Sequence, residues 1–234
     1  MTDPEFDAVA CRTARRLGGA TLDERIAAAC RGSGNPAALA WIAEECRLGP
    51  ATRVVDLGTG LGGAAAWLEL RYGCRPVALE PAAGAALGVG RLFDLPAVRA
   101  DAAAAPFPVD AFDLALLFGV LSVAPASGAV VAEAARIARR VAVLEYVSTA
   151  DAATHAGGSR FPTSAALLAM LSAAGLTRPT SVAVTMPAPP RWVAAQEAFD
   201  ATDEVAAARR AEDSVRAEID AGRLRPVALV AERG

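Results

Sequence analysis

Val54-Val55-Asp56-Leu57-Gly58-Thr59-Gly60-Leu61-Gly62-Gly63 is the stretch that decides how the rest of the chain is read. A short apolar, β-branched run carries an acid, breaks into glycines at close spacing and leads into a helical pattern over 64–72 that Gly73 closes. Glycine lets the backbone turn tightly and approach a ligand closely, and the first amides of the following helix have no partner within the helix. The stretch therefore reads as strand, cofactor-binding turn and helix. Alone it leaves the cofactor open, because Gly58-x-Gly60-x-x-Gly63 also satisfies the dinucleotide fingerprint.

Working outward, further short β-rich runs fall at 76–80, 97–101, 112–117 and 141–146, separated by helical stretches, and two more strands are expected at 181–186 and 225–230. Alternating strand and helix signals imply crossover connections and a mostly parallel sheet of seven strands with helices on both faces, a Rossmann-like α/β fold. Residues 1–50 read as a helical lid. Thr21-Leu22-Asp23-Glu24 has capping-box spacing, and Asn35-Pro36 starts a second helix expected to run over 36–48 until Gly49-Pro50 stops it. A charged segment over 192–221, mixing arginine with acids, reads as one long helix with a solvated face, inserted within 187–221 between the last two strands.

Two further acids join Asp56 at the carboxyl ends of successive strands. Glu80 lies 22 positions after Gly58, where a carboxylate accepts hydrogen bonds from both hydroxyls of a ribose, and Asp101 follows 21 positions later, placed to meet the exocyclic amine of an adenine. Open α/β sheets bind their ligands in this crevice.

The residues 55–62 resemble the first motif of class I S-adenosylmethionine-dependent methyltransferases. Asp101-Ala102 followed by Pro106-Phe107-Pro108-Val109-Asp110-Ala111-Phe112-Asp113 is similar to the stretch before the fourth strand in the quinone-biosynthesis and sarcosine/dimethylglycine methyltransferase-like branch. The likeness is good over about 50–147 and weaker at 173–176 and 226–232. It implies S-adenosylmethionine as cofactor and a last strand inserted antiparallel between the fifth and sixth. It also implies site roles: Gly58, Gly60 and Gly62 beside the methionine part, Glu80 on the ribose, Asp101 with the Ala102 backbone on the adenine, and Phe118 beside the reacting methyl. Asp56, where dinucleotide enzymes commonly carry an apolar residue, favours a cationic sulfonium-amine ligand over a pyrophosphate. A nicotinamide enzyme is the competing reading of the glycine loop. A methyltransferase-like fold that cyclises its substrate, or only binds, is the competing reading of the activity.

Composition narrows the chemistry further. The 234 residues are 54% hydrophobic and 21% charged, with net charge −3, so disorder and a nucleic-acid-binding basic surface are poor readings. Every basic chain residue other than His155 is arginine. Lysine Schiff-base chemistry, the P-loop lysine and multi-histidine metal sites are thereby excluded. The four cysteines form no Cys-x-x-Cys pair and read as small apolar residues in a reducing cytosol, and no metal is implied. Met1-Thr2-Asp3-Pro4-Glu5 lacks the form of a secretory signal, and the apolar run 114–126 falls short of the ~20 residues of a membrane span. The expectation is a cytoplasmic monomer or homodimer acting on a small molecule of biosynthetic, secondary metabolism, with no nucleic-acid or membrane partner.

Methyl transfer to a hydroxyl or protonated amine needs a base. His155, in the glycine-containing loop after the fifth strand, is the side chain whose ordinary pKa suits that work, with Asp151 at i−4 as a conceivable partner. Tyr146 is the other candidate. It shares the end of the fifth strand with Glu145, and alternation leaves open which of the two faces the pocket. Arg160 has the fork geometry to grip a substrate carboxylate, and Trp41 with Phe6 has the bulk to roof the pocket. Selectivity for the acceptor is expected in 1–50 and 187–221, where the resemblance is weakest.

Overall fold

The computed structural model describes residues 4–30, 35–183, 189–200 and 206–234. Side chains of 4–6, 183 and 197–209 are outside that description, so the expectation for Phe6 cannot be placed. The elements run α1 (Pro4–Leu17), α2 (Leu22–Ala29), α3 (Pro36–Glu45), β1 (Arg53–Leu57), α4 (Gly63–Tyr72), β2 (Arg75–Leu79), α5 (Ala83–Phe93), β3 (Ala97–Val98) and β4 (Phe112–Phe118). They continue with α6 (Ser127–Ile137), β5 (Ala138–Ser148), β6 (Thr154–Ala156), β7 (Ser159–Phe161), α7 (Ser164–Ala173), β8 (Leu176–Ala183), α8 (Pro190–Asp200), α9 (Ala206–Asp220) and β9 (Leu224–Arg233).

The main sheet has seven strands in the order β3-β2-β1-β4-β5-β9-β8. β1 to β5 pair in parallel, and β9 enters antiparallel between β5 and β8. This is the arrangement the resemblance implied. Side chains alternate between two cores. Val54, Leu114, Leu116, Ala142 and Leu144 pack toward α2, α3, α4 and α8, whereas Val55, Leu57, Ala115, Leu117 and Val143 pack toward α6 and α7. Both faces are covered, which is why the central strands read as unbroken apolar runs.

Both expected N-terminal caps form. The Thr21 hydroxyl accepts from the Glu24 amide while Glu24 Oε2 accepts from the Thr21 amide at 2.9 Å, and Asn35 Oδ1 accepts from the Ala37 amide at 2.8 Å. The second of these helices stops at Glu45, before Gly49-Pro50: Arg47 turns to φ 52° and the Leu48 amide returns to the Ala43 carbonyl at 2.8 Å. The sixth strand of the chain's main sheet, β8, begins at Leu176, five residues earlier than expected, and 184–186 lie outside the described residues. Its start was hidden by Thr177-Arg178-Pro179-Thr180, a polar, proline-bearing stretch that the register bulge at Thr177/Thr180 accommodates on an edge strand. The charged segment forms α8 and α9 on either side of 201–205 rather than one described helix. The loop after β5 contains a hairpin, β6–β7, joined through Gly157-Gly158, both at positive φ, a two-residue signal present in the sequence.

The N-terminal helices dock where glycines leave room. A Cβ on Gly63, at the start of α4, would collide with the Cys30 amide nitrogen at the end of α2 and stand 2.6 Å from the Ala29 carbonyl carbon. On Gly88 it would stand 2.6 Å from Leu61 Cδ2 and 3.2 Å from Ala14 Cβ of α1. Gln196 of α8 donates to the Ala27 and Cys30 carbonyls at 3.1 and 2.8 Å, closing the end of α2. Gly63→Ala should therefore destabilise the fold by about 1–3 kcal/mol, since the obstructing atoms are backbone. Gly90→Ala, on an exposed turn of α5 with no neighbour within 4 Å, should stabilise it by about 0.5–1 kcal/mol. Chemical denaturation of the two variants checks the pair, and equal effects would contradict this account of the α2–α4 contact.

Candidate functional site

β1 delivers Asp56 to the carboxyl edge of the sheet, 2% exposed, and the chain then turns through three glycines at φ 71°, 59° and 84°: Gly58, Gly60 and Gly62. Positive φ at all three is the reason glycine stands there. The Gly58 and Thr59 amides donate to the Leu79 carbonyl at 2.8 and 3.2 Å, which ties the turn to the end of β2. One residue further, Glu80 does the same work with its side chain. Its Oε2 accepts from the Gly60 amide at 2.8 Å and its Oε1 from the Ala82 amide at 3.0 Å. The carboxylate thus joins the glycine turn to the entry of α5, with further lone pairs for a ligand hydroxyl.

Asp56 is held by the Thr59 hydroxyl, which donates to its Oδ2 at 2.6 Å. Burial nevertheless pushes the Asp56 carboxyl up to about 6; the Thr59 hydrogen bond pulls it down and the nearby Glu80 charge adds to the rise. Glu80 is raised as well, by burial first, against the amides of Ala82 and Gly60, with the charge of Asp7 adding to the effect. Asp7 comes from α1. Its Oδ1 accepts from the Gly84 amide at 2.5 Å and supplies the cap that α5, with Ala82 before its first turn, lacks. Asp56 and Glu80 therefore both bond to the glycine turn, with the charge of Asp7 acting on Glu80, and together they create a negative field suited to a cation.

Asp101 lies three residues beyond β3 and is exposed. Its Oδ1 accepts from the Ala103 amide at 2.9 Å, which fixes the turn containing the buried Ala102. Phe118 is the last residue of β4, half-buried against the α4-side core. Asp110 and Asp113, from the stretch that carried the resemblance, stand at the opposite edge of the sheet. There Asp113 pairs with Arg53 at 3.1 Å and Asp110 with Arg233, so they fasten strand beginnings rather than line the cleft.

The structure separates Glu145 from Tyr146. Glu145 is 1% exposed and turns to the α6 side, where it binds the loop after β4: Oε2 accepts from the Ser122 amide at 3.1 Å, and Oε1 from the Ser122 hydroxyl at 3.2 Å and the Tyr146 amide at 3.0 Å. Burial pushes its carboxyl up to about 7 despite these donors. Tyr146 packs on the other side, edge-on to Phe161 with ring centroids 6.2 Å apart, beside Val215 and Ile219 of α9. Burial raises its phenol, and the charge of Glu145 adds to the rise. His155 and Arg160 face each other across the β6–β7 register, both exposed, while Ala156 and Phe161 turn inward. The hairpin reaches the same edge of the sheet as the glycine turn, for the Arg160 amide donates to the Ser122 carbonyl at 2.8 Å. Trp41 stands apart, half-buried against the core in the middle of α3, a helix that runs to the opposite edge, where Arg140 Nη1 donates to the Cys46 carbonyl at 3.0 Å. The cysteines are free.

Sequence reasoning missed Asp7, Gln196 and the Glu145–Ser122 contact. All three join segments far apart in the chain, and none lies in a local motif that would have announced it.

Residues 55–144 match the family model described as a methyltransferase domain. No curated protein matches the chain. Among solved structures, the 4+2 cyclase SpnF superposes with a TM-score of 0.68 at 20% identity, covering 83% of this chain and 80% of its own. A geranyl diphosphate C-methyltransferase from Streptomyces coelicolor, in complex with S-adenosyl-L-homocysteine, gives 0.60 at 16% identity, covering 83% and 76%. A protein from Galdieria sulphuraria described as a sarcosine dimethylglycine methyltransferase gives 0.63 at 14% identity, covering 84% and 83%. The matched segment is that of a methyltransferase domain, and the fold is the one these solved structures share.

The raised Asp56 has a consequence for stability. The native state keeps the proton that the unfolded chain releases near 3.8, so stability falls as pH rises from about 4 to about 6 and stays lower above. Asp56→Asn, which keeps an acceptor for Thr59, should make the ligand-free protein more stable at pH 8 by about 1–3 kcal/mol and have little effect at pH 4. Thermal unfolding at the two pH values checks this, and a loss of stability at pH 8 would contradict it.

Proposed function

We propose that the chain binds S-adenosylmethionine at the glycine turn and transfers its methyl group to a small-molecule acceptor of a biosynthetic pathway, held over the ends of β4 and β5. The observation that carries the proposal is the buried Glu80 carboxylate. It is hydrogen-bonded to the Gly60 amide and stands among Asp56 and Asp7 at the topological switch of the sheet, between β1 and β4. This field suits an ammonium and a sulfonium better than a pyrophosphate.

In this reading Gly58, Gly60 and Gly62 let the backbone pass close to the methionine part, and Asp56 stabilises its positive charge. Glu80 takes the ribose hydroxyls, Asp101 with the Ala102 backbone takes the adenine, and Phe118 borders the methyl group. When bound, the cofactor would supply a sulfonium-activated methyl group open to in-line attack by the acceptor, with a neutral thioether as the leaving group. The chain's part is to hold acceptor and methyl about 3–3.5 Å apart and to exclude water. The N-terminal helices and the β6–β7 hairpin with α9 are placed to close the cleft from two sides. His155 takes the acceptor's proton from the hairpin, with Tyr146 as the second candidate; its raised phenol suits it better to donating a hydrogen bond to the acceptor than to removing a proton at neutral pH. Arg160, beside His155, engages an anionic group of the acceptor. Among the described residues no helix is long and apolar enough to cross a membrane.

Glu80→Ala should weaken S-adenosylmethionine binding by at least ~1.5 kcal/mol, roughly tenfold. Calorimetric titration of the variant against the unaltered protein checks the assignment, and an unchanged affinity would refute it. Release of S-adenosylhomocysteine in the presence of a panel of small hydroxyl, amine and carbon acceptors tests the transfer itself. A product formed without cofactor turnover would assign the site to another reaction.

A further inference from the structure

The loop that follows β4 is built around one buried carboxylate from the neighbouring strand. Gly119, at φ 66°, donates its amide to the Leu144 carbonyl at 2.8 Å and ends the pairing of β4 with β5. The chain then coils through 120–124, with the Val123 and Ala124 amides returning to the Val120 carbonyl at 3.2 and 2.9 Å. Glu145 fills the space beneath that coil. It accepts from the Ser122 amide and hydroxyl, in addition to the Tyr146 amide. No apolar residue can satisfy this many donors, and each buried donor left unpaired is costly.

The coil has two outward contacts. The Ser122 carbonyl accepts the Arg160 amide of the hairpin. On the other side Val120, 7% exposed, lies against the glycine turn: a Cβ built on Gly58 would stand 2.7 Å from Val120 Cγ2 and 3.4 Å from Cγ1. Val120 is thus the far wall against which the first glycine of the turn rests.

We infer that Glu145 is a positioning residue for the cofactor cleft: by pinning the coil after β4 it holds Val120 against Gly58 and fixes the path of the glycine turn, without touching the cofactor. The inference rests on the reading of the cleft as an S-adenosylmethionine site. It makes one chain of contacts, from Glu145 through Ser122 and Val120 to Gly58, the route by which β5 and the hairpin sense the cofactor side of the sheet.

The test is a double-variant cycle read by calorimetric titration with S-adenosylhomocysteine, using the full chain. Glu145→Gln, which replaces one acceptor oxygen by an amide facing the same donors, and Val120→Ala should each weaken binding about tenfold. The double variant should bind no more weakly than the weaker single one, because both changes release the same contact. A purely structural Glu145 would lower the unfolding temperature yet leave the affinity of the folded protein unchanged. An unaltered Kd for either single variant, or losses that multiply in the double, overturns the inference. If Glu145→Gln does not fold, Ser122→Ala, with about a threefold loss expected, takes its place in the same cycle and is judged in the same way. Absence of binding by the unaltered protein is a separate result, which would overturn the cofactor reading and this inference with it.

Discussion

The bond from the Gly60 amide to the Glu80 carboxylate is the contact on which the cleft depends. A turn with three residues at positive φ has little intrinsic reason to hold one path, because glycine gives up more conformational freedom on ordering than any other residue. Glu80 supplies that reason from β2, and through the Ala82 amide it sets the start of α5 at the same time. Its burial has a cost. Burial makes Asp56 and Glu80 hard to ionise, with the charge of Glu80 adding to the effect at Asp56 and that of Asp7 at Glu80, a cost that a bound cation would relieve. Site and stability are opposed here, as is common where a fold keeps charge ready for a ligand.

The same logic explains how the N-terminal helices are attached. α1 and α2 approach the central fold at glycines, where backbone and small side chains come closer than a Cβ would allow. They also bring polar partners that the central fold lacks: Asp7 caps α5, and Arg25 Nη1 donates to the Leu92 carbonyl at its far end at 2.6 Å. The rest of the attachment is alanine-rich packing of α1 and α2 against α5.

Much of this was legible in the sequence, for physical reasons that can be named. Elements whose signals are local read correctly: the glycine turn, the caps at Thr21 and Asn35, the acids placed at the ends of β1 and β2, and the central strands, whose double burial leaves unbroken apolar runs. The antiparallel seventh strand came from the family resemblance, not from any pattern in the residues. Elements decided by distant partners did not read. The start of β8 is polar and bears Pro179, and only its pairing with β9 makes it a strand. The hairpin was announced by Gly157-Gly158 yet has strands of three residues, too short to show alternation. Glu145 and Tyr146 were indistinguishable until the twist of β5 assigned one to each layer, and Asp7 gave no sign that it would serve a helix 77 residues later.

Titration of the unaltered protein with S-adenosylmethionine, S-adenosylhomocysteine and NAD is the measurement that bears most directly on the central claim, that the buried carboxylates of Asp56 and Glu80 at the glycine turn select a cationic nucleoside cofactor. Binding of the first two at about micromolar Kd, with no heat from NAD, is the predicted result. Binding of NAD in their place would contradict the account.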